Sequence, residues 1–342
     1  MLNVKELLMK VVDRSSLLRT LFTYYKCSQS REFLKEINRR ARLSIFDYKE
    51  LGKELEEYPC FFIPDCNYYG LYHNLLVYSG LQPEHLTVFQ KHYFYIEHGL
   101  VLGSYVNCYN IGKAKLVTTI SPVRQKIIDS TIEGVHSHVI GPYIHYCESL
   151  LTIAEIAAKK LDLGKVLLVI PSHSIGSVTA EFDEESFVAA IRKKRIGFDT
   201  VIVCLYWKDI DNGSDKIYLN EGFQVSTAGH RDDLNFLPRL KSLFLLASEV
   251  YTNSIGTHIA YSLDLRIPIT IYEQQVVYKQ VQDFQVNREI LEKEDNIRTA
   301  DSDRQIIIDS VHRDNRSVLN QYFGLDRVKS PEEMRKLILS NR

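Results

Sequence analysis

Three polar stretches carry residue types suited to handling a charged or hydroxylated group. The first is Asn253-Ser254-Ile255-Gly256-Thr257-His258, between the apolar run Glu249–Thr252 and a helical pattern. Asn253, Ser254 and Thr257 are good N-cap types, and Gly256 lets a backbone approach a ligand closely. A helix that begins at such a turn presents unpaired N–H groups and the positive end of its dipole, and phosphate is the usual occupant. The same residues also suit an ordinary well-capped helix, and the turn alone does not choose between the two. The second stretch is Pro171-Ser172-His173-Ser174-Ile175-Gly176-Ser177, directly after Val166–Ile170. Ser172 and Ser174 could hydrogen-bond phosphate and His173 could balance its charge; the glycine spacing fits neither a dinucleotide fingerprint nor a P-loop. The third set is Asp65 and the adjacent Glu97 and His98, each where an apolar run meets a loop. A carboxylate or an imidazole in that position could take a proton from a hydroxyl group. The competing roles are an N-cap or Asx-turn for Asp65 and a bond to loop backbone for His98. Trp207, the one tryptophan, stands at a strand exit, where base stacking and packing under a loop are both open.

These loops need rigid elements behind them. Val166–Ile170 is continuously apolar, as expected of a central parallel strand. Strand, loop and helix then alternate four times through 200–206, 223–227, 249–252 and 268–272, which predicts a doubly wound sheet with successive loops on one edge. The N-terminal half gives strands over 61–64, 94–98, 114–120 and 135–140, so Asp65 and His98 fall at strand C-terminal ends, where open α/β sheets bind ligands. The expected fold class is α/β, with two Rossmann-like domains facing across a cleft. The expected boundaries are 1–58, a helical extension packed on the first domain; 59–161, an acceptor domain; 165–320, a donor domain after a hinge at 162–165; and 321–342, a C-terminal helix. Residues 274–301 are polar and read as helical with a mobile portion, and Ser330, Pro331, Glu332 and Glu333 signal a helix start.

Composition sets the outer bounds. A chain of 342 residues is natural for two domains. The net charge of −1 argues against a dedicated nucleic-acid binder. Six scattered cysteines show no metal-ligand spacing and fit a reducing, cytoplasmic location; no leader pattern and no apolar run of bilayer length is present. Residues 1–42 hold ten Lys/Arg against four Asp/Glu, which reads as a solvated helical cap or as a peripheral patch for anionic membrane.

The pattern around 249–272, with Asn253, Ser254, Gly256 and Thr257 followed by Leu265-Arg266-Ile267-Pro268 and a strand, resembles the donor-binding half of GT-B glycosyltransferases and the related nucleotide-sugar 2-epimerases. The His98-Gly99 turn is similar to one in bacterial capsule and lipopolysaccharide glycosyltransferases. The resemblance implies a nucleotide-sugar donor held by Ser254, Gly256, Thr257 and His258 with Ser172–Ser174 opposite. It places Gly229 and His230, in the loop 228–233, near the nucleobase and ribose, and returns the last helices to the first domain. Asp65, Glu97 and His98 are then the catalytic candidates, with Asp65 or His98 as the base in an inverting transfer to a glycan or glycolipid acceptor. The resemblance implies no cofactor, and the absence of a D-x-D element suggests no essential metal. The donor-side helix has no carboxylate before Asp264, where many relatives of this class hold the ribose or sugar; that puts a UDP-sugar in question and leaves a CMP-activated sugar open. The alternatives are a 2-epimerase-like enzyme and a non-catalytic nucleotide-sugar-binding scaffold.

Overall fold

The structure is a computed structural model, and it describes residues 30–56, 64–81, 94–112, 114, 116–174, 178–280 and 294–340, with 15, 17, 18, 21 and 25. The expected strand at 61–64 lies outside these but for Pro64, as do most of residues 1–29, and nothing is described of the Asp65 side chain.

Two parallel sheets organise the chain. The first contains β1 (Phe94–Ile96), β2 (Leu116–Thr119) and β3 (Ser137–Val139), in that order. The second contains β4 (Val166–Ile170), β6 (Thr200–Cys204), β7 (Gln224–Ser226), β8 (Glu249–Thr252) and β9 (Ile269–Ile271), in spatial order β7-β6-β4-β8-β9. Counted along this domain the order is 3-2-1-4-5, the doubly wound arrangement whose ligand crevice opens where the order reverses, here beside β4 and β8. Along β4, Val166, Leu168 and Ile170 join a core shared with Ile96 and Val117 of the first sheet. Leu167 and Val169 pack on the other face with Phe187, Ile191 and Tyr251. Burial on both faces is why this strand reads as an unbroken apolar run.

The helices follow local signals. In chain order they are α1 (Ser30–Arg40), α2 (Tyr48–Gly52), α3 (Leu71–Tyr78), α4 (Cys108–Ile111), α5 (Pro122–Thr131), α6 (Ile153–Leu163), α7 (Glu184–Lys194), α8 (Trp207–Asp211), α9 (Asp215–Asn220), α10 (Phe236–Leu246), α11 (Thr257–Asp264), α12 (Glu294–His312), α13 (Arg316–Phe323) and α14 (Pro331–Leu339). Ser121 caps α5 by accepting from Arg124 N, and Thr152 with Glu155 and Ser330 with Glu333 form capping boxes on α6 and α14. Among the described residues no helix is long and apolar enough to cross a membrane.

Two features depart from the sequence-based expectations. Within 274–301, residues Val277–Gln280 form β10, antiparallel to β5 (Val178–Glu181), where a helix was expected. The four residues are too few to show a period of their own, and pairing with a distant strand decides their state. The second departure concerns the N-terminal segment, which binds the second domain. Ser226 Oγ donates to Ile45 O, His230 N donates to Leu51 O, and Tyr48 Oη donates to Asp215 Oδ2. Phe33, Ile37 and Leu55 cluster with Leu234. Arg40 is buried, yet its guanidinium donates to the carbonyls of Leu51, Lys53 and Glu54 at the end of α2, so a residue expected in solvent closes a helix terminus. At the other end of the chain, α13 packs on α5, α14 packs on α3, and Tyr78 Oη donates to Lys329 O, all in the first domain.

Candidate functional site

Loops from the C-terminal ends of β1, β4, β6, β7 and β8 enclose one cavity of about 380 Å³ between the sheets. Its wall includes His98 and Gly99 from the first domain, and His173, Tyr206, Ser254, Gly256, Thr257 and His258 from the second. Most of the remaining wall is apolar, with Leu71, Ile170, Phe236, Leu237 and Leu240.

The 253–258 turn takes a different form from the one its cap residues suggest. Gly256 is the N-cap of α11, no side chain caps the helix, and Thr257 is its first residue. The first-turn N–H groups of a helix need partners from outside its own ladder; here Ile259 N donates to Gly256 O (3.1 Å), and Gly256, Thr257 and His258 line the cavity. Gly256 has φ −160°, extended backbone that any residue adopts, so its use lies in lacking a side chain. Ser254 N donates to Thr252 Oγ1 (3.1 Å), and the Ser254 and Thr252 hydroxyls lie 3.2 Å apart. Thr257 Oγ1 accepts from Leu100 N at 2.8 Å, a bond between the two domains. Gly99 has φ +91°, and a Cβ there would collide with Thr257 Oγ1, so glycine permits this approach.

His258 Nε2 lies 3.0 Å from Thr252 Oγ1. Burial, with His173 nearby, pushes its imidazole down to about 3, so near neutral pH it offers a neutral hydrogen-bonding ring. On the loop after β4, the two serines serve the scaffold. Ser172 N donates to Asn253 Oδ1 (2.6 Å), and Ser172 Oγ donates to Asn253 O (3.4 Å). Ser174 N donates to the Asp209 carboxylate (3.2 and 3.3 Å), and Ser174 Oγ accepts from Ala180 N (3.2 Å). Burial raises the Asp209 carboxyl above its ordinary value. Of the three residues only His173 lines the cavity, with its ring 4.7 Å from that of Tyr206.

In the first domain, Glu97 and His98 diverge. Glu97 is 5 % exposed, and its carboxylate accepts from Arg124 Nη2 (2.6 Å), Arg124 Nε (3.1 Å) and Thr119 Oγ1 (2.7 Å). Arg124, 1 % exposed, also donates to Gly103 O and Tyr105 O, and Tyr143 Oη donates to Glu97 O. Glu97 is therefore committed to a buried ion pair, while the next residue, His98, turns into the cavity beside Tyr68 (5.9 Å between rings) and Tyr69 (6.3 Å).

Gly229 and His230 are turned away from the cavity. Gly229 has φ +103° and is packed against Arg239, Asp233 and Leu51 O. His230 is 3 % exposed, packs 4.3 Å from the Trp207 ring, and accepts from Asp232 N at Nδ1 (3.3 Å). Packing under the N-terminal segment is thus the role of Trp207, whose Cα and Cβ face Gly52.

Burial, then Arg231 and Arg40, hold the His230 imidazole down from 6.5 to about 4. A depressed histidine means that the unfolded chain takes the proton first. Stability is therefore complete above pH 6.5 and declines as the pH falls from 6.5 toward 4. The slope from this group is at most about 1.4 kcal/mol per pH unit. In urea titrations at about pH 7 and about pH 5, the parent should lose more stability than His230→Gln; equal losses would dismiss this role for His230.

Two wall residues carry no signal in the sequence. Tyr69 adopts φ +64°, unusual for a bulky residue, with its N donating to Arg231 O (2.5 Å) and its ring 4.7 Å from Phe236. Backbone held in this region concentrates at functional sites. Tyr206 leaves β6 at the same wall. The double tyrosine before Gly70 was visible, but nothing local marks which ring turns inward.

Two parallel α/β sheets with their loops on one shared cavity make this a GT-B-type fold. No family model matches the chain, and no curated protein sequence matches it. Among solved structures, it is similar to a variant of the wall teichoic acid polymerase TagF at 11 % identity, covering 94 % of this chain and 98 % of that one, with a TM-score of 0.42. It is also similar to MnaA of S. aureus in a structure with UDP, at 12 % identity over 79 % of this chain and 77 % of that one, TM-score 0.37. A third is Alr3699/HepE of Anabaena in complex with UDP and glucose, at 12 % identity over 79 % and 80 %, TM-score 0.33.

Proposed function

We propose that the protein is a glycosyltransferase that moves a sugar from a nucleotide-sugar to a hydroxyl of a glycan or glycolipid acceptor, of the surface-polysaccharide or lipopolysaccharide kind, with inversion. The observation that carries the reading is the N-terminus of α11, which has no side-chain cap and lines, with Ser254, a cavity that His98 also lines. The donor phosphates bind the first-turn amides and the Ser254 hydroxyl. The acceptor oxygen attacks the anomeric carbon as His98 takes its proton. The bond from that carbon to the phosphate oxygen breaks, and the charge left on the nucleotide meets the α11 dipole and amides. Asp65 is the second candidate for the base. His258 donates a hydrogen bond, and Thr257 contributes its N–H while its hydroxyl joins the domains. Ser172 and Ser174 hold the loop that presents His173.

Ser254→Ala tests the donor site without disturbing the Thr257–Leu100 bond. In a thermal-shift panel of CMP, CDP, UDP, GDP and ADP, one nucleotide should raise the parent's Tm. A ligand at a hundred times its Kd stabilises by about 2.7 kcal/mol. Ser254→Ala should lose most of that shift while its unliganded Tm stays close to the parent's. CMP as the stabilising nucleotide would indicate a CMP-activated sugar. A parent that responds to none of the five would remove the donor reading.

A further inference from the structure

Where the last helix meets the first sheet, a groove of about 540 Å³ opens beside the edge strand β3, between α14, the turn before it and the start of α5. None of its wall residues lines the cavity at α11. We infer that this groove is a separate binding site for a phosphate group, either free or carried on a lipid head.

Charge carries the case. Arg327, Lys329 and Lys336 line the groove against one carboxylate, Glu333. Three cations less one carboxylate leave an excess of two, which matches a phosphate monoester at about −1.5 to −2 near pH 7. The whole chain has a net charge of −1, so the excess is local. Among the described residues neither lysine is in an ion pair, and Arg327 meets only Asp326, at 3.6 Å on an exposed surface. Glu333 is turned to the helix cap, where Oε2 accepts from Ser330 N at 2.7 Å. That bond, and at longer range Lys329 and Lys336, hold its carboxyl below the usual carboxylate value. His138 faces the same groove from β3. Partial burial, then Lys329, hold its imidazole below 6.5, so near neutral pH it offers a neutral hydrogen-bonding ring. An arginine fork with two ammonium groups is a set of donors suited to phosphate oxygens.

The frame behind these groups is fixed. Lys329 N donates to Tyr146 Oη and Lys329 O accepts from Tyr78 Oη, both at 2.9 Å. Arg327 N donates to Gly324 O at 2.8 Å, and Gly324, at φ +57°, sits where a Cβ would collide with Ile120 O. Lys336 stands on α14, which its capping box anchors. The backbone that presents the cations is therefore ordered before a ligand arrives, which favours binding. Only Pro122, Val139 and Leu337 in the wall are apolar, too little surface for an acyl chain, so a lipid would place its head here and not its tail.

The test is calorimetry of inorganic phosphate with the full chain at about 0.15 M salt, where charges more than about 8 Å apart are screened. The parent and Ser254→Ala should bind alike, since Ser254 belongs to the other cavity. The double variant Lys329→Gln/Lys336→Gln should bind about ten-fold more weakly or worse, as expected for lost charge-assisted bonds. Its Tm should match the parent's, because residue 329 is held by its backbone. Vesicles of phosphatidylcholine with and without phosphatidic acid then separate the sources. Binding to phosphatidic acid that the double variant loses assigns a lipid head; phosphate binding with no difference between parent and variant on vesicles assigns a soluble phosphate. A double variant that binds inorganic phosphate as tightly as the parent overturns the inference. So does a parent that binds acetate as tightly as phosphate, or that binds no phosphate.

Discussion

His98→Ala should lower the rate of sugar transfer by roughly 10²–10⁴-fold, the range for loss of a positioned general base. The nucleotide that stabilises the parent should bind the variant with unchanged affinity, because His98 comes from the first domain and the 253–258 turn, the proposed donor site, from the second. The Tm should change little, since the side chain is exposed. Loss of the acidic limb of the pH–rate profile in His98→Gln would identify the imidazole as the group that must be unprotonated. A variant within three-fold of the parent rate, about 0.6 kcal/mol in barrier, would move the base assignment to Asp65.

Arg124→Met should cost about 3–5 kcal/mol of stability, the penalty for leaving one member of a buried ion pair alone. Glu97 is sealed, and among the described residues its carboxylate would keep only the Thr119 hydroxyl as a side-chain donor. The carbonyls of Gly103 and Tyr105 would lose a donor as well. Glu97→Leu combined with Arg124→Met should recover part of the loss, because an apolar pair of similar size avoids the stranded charge. Urea unfolding of the single and double variants measures this directly, and a single-variant loss under about 1 kcal/mol would mean that water reaches the carboxylate. The activity of the double variant then tells whether the pair, one residue before His98, also holds that ring in place.

The second sheet was legible because β4, β6 and β8 are apolar and buried on both faces, and β4 and β8 each run into a polar turn. The position of His98 and of the 253–258 turn followed from the same rule. What could not be read locally was how each polar group is satisfied. Ser172 and Ser174 look like ligand contacts, yet their bonds go to Asn253, Asp209 and Ala180, the nearest of them six residues away and the others 35 and 81. Glu97 has the type of a catalytic acid and becomes half of an ion pair with a residue 27 positions later. Arg40 belongs to a basic, amphipathic segment and is buried by three carbonyls that only the folded chain assembles. β10 is polar, four residues long, and defined by a partner about a hundred positions earlier. In each case the deciding contact, from six to about a hundred residues away, falls outside the hydrophobic period, and periodicity carries no information about it.

The two ends of this polypeptide are exchanged: its first described segment is bound to the second domain, and its last two helices to the first. Neither half is therefore complete when its own residues have left the ribosome. Ile45 and Leu51 wait for Ser226 and His230, and Tyr78 waits for Lys329, a separation of 251 residues. Assembly must wait until both halves have been made, with apolar surface on each uncovered until the other is present. Cutting at the 162–165 connection would not release two independent domains, because each fragment would carry away a piece of the other's surface. Production of this protein will depend on temperature and chaperone supply more than its modest size suggests, and separately expressed halves should become soluble only when made together.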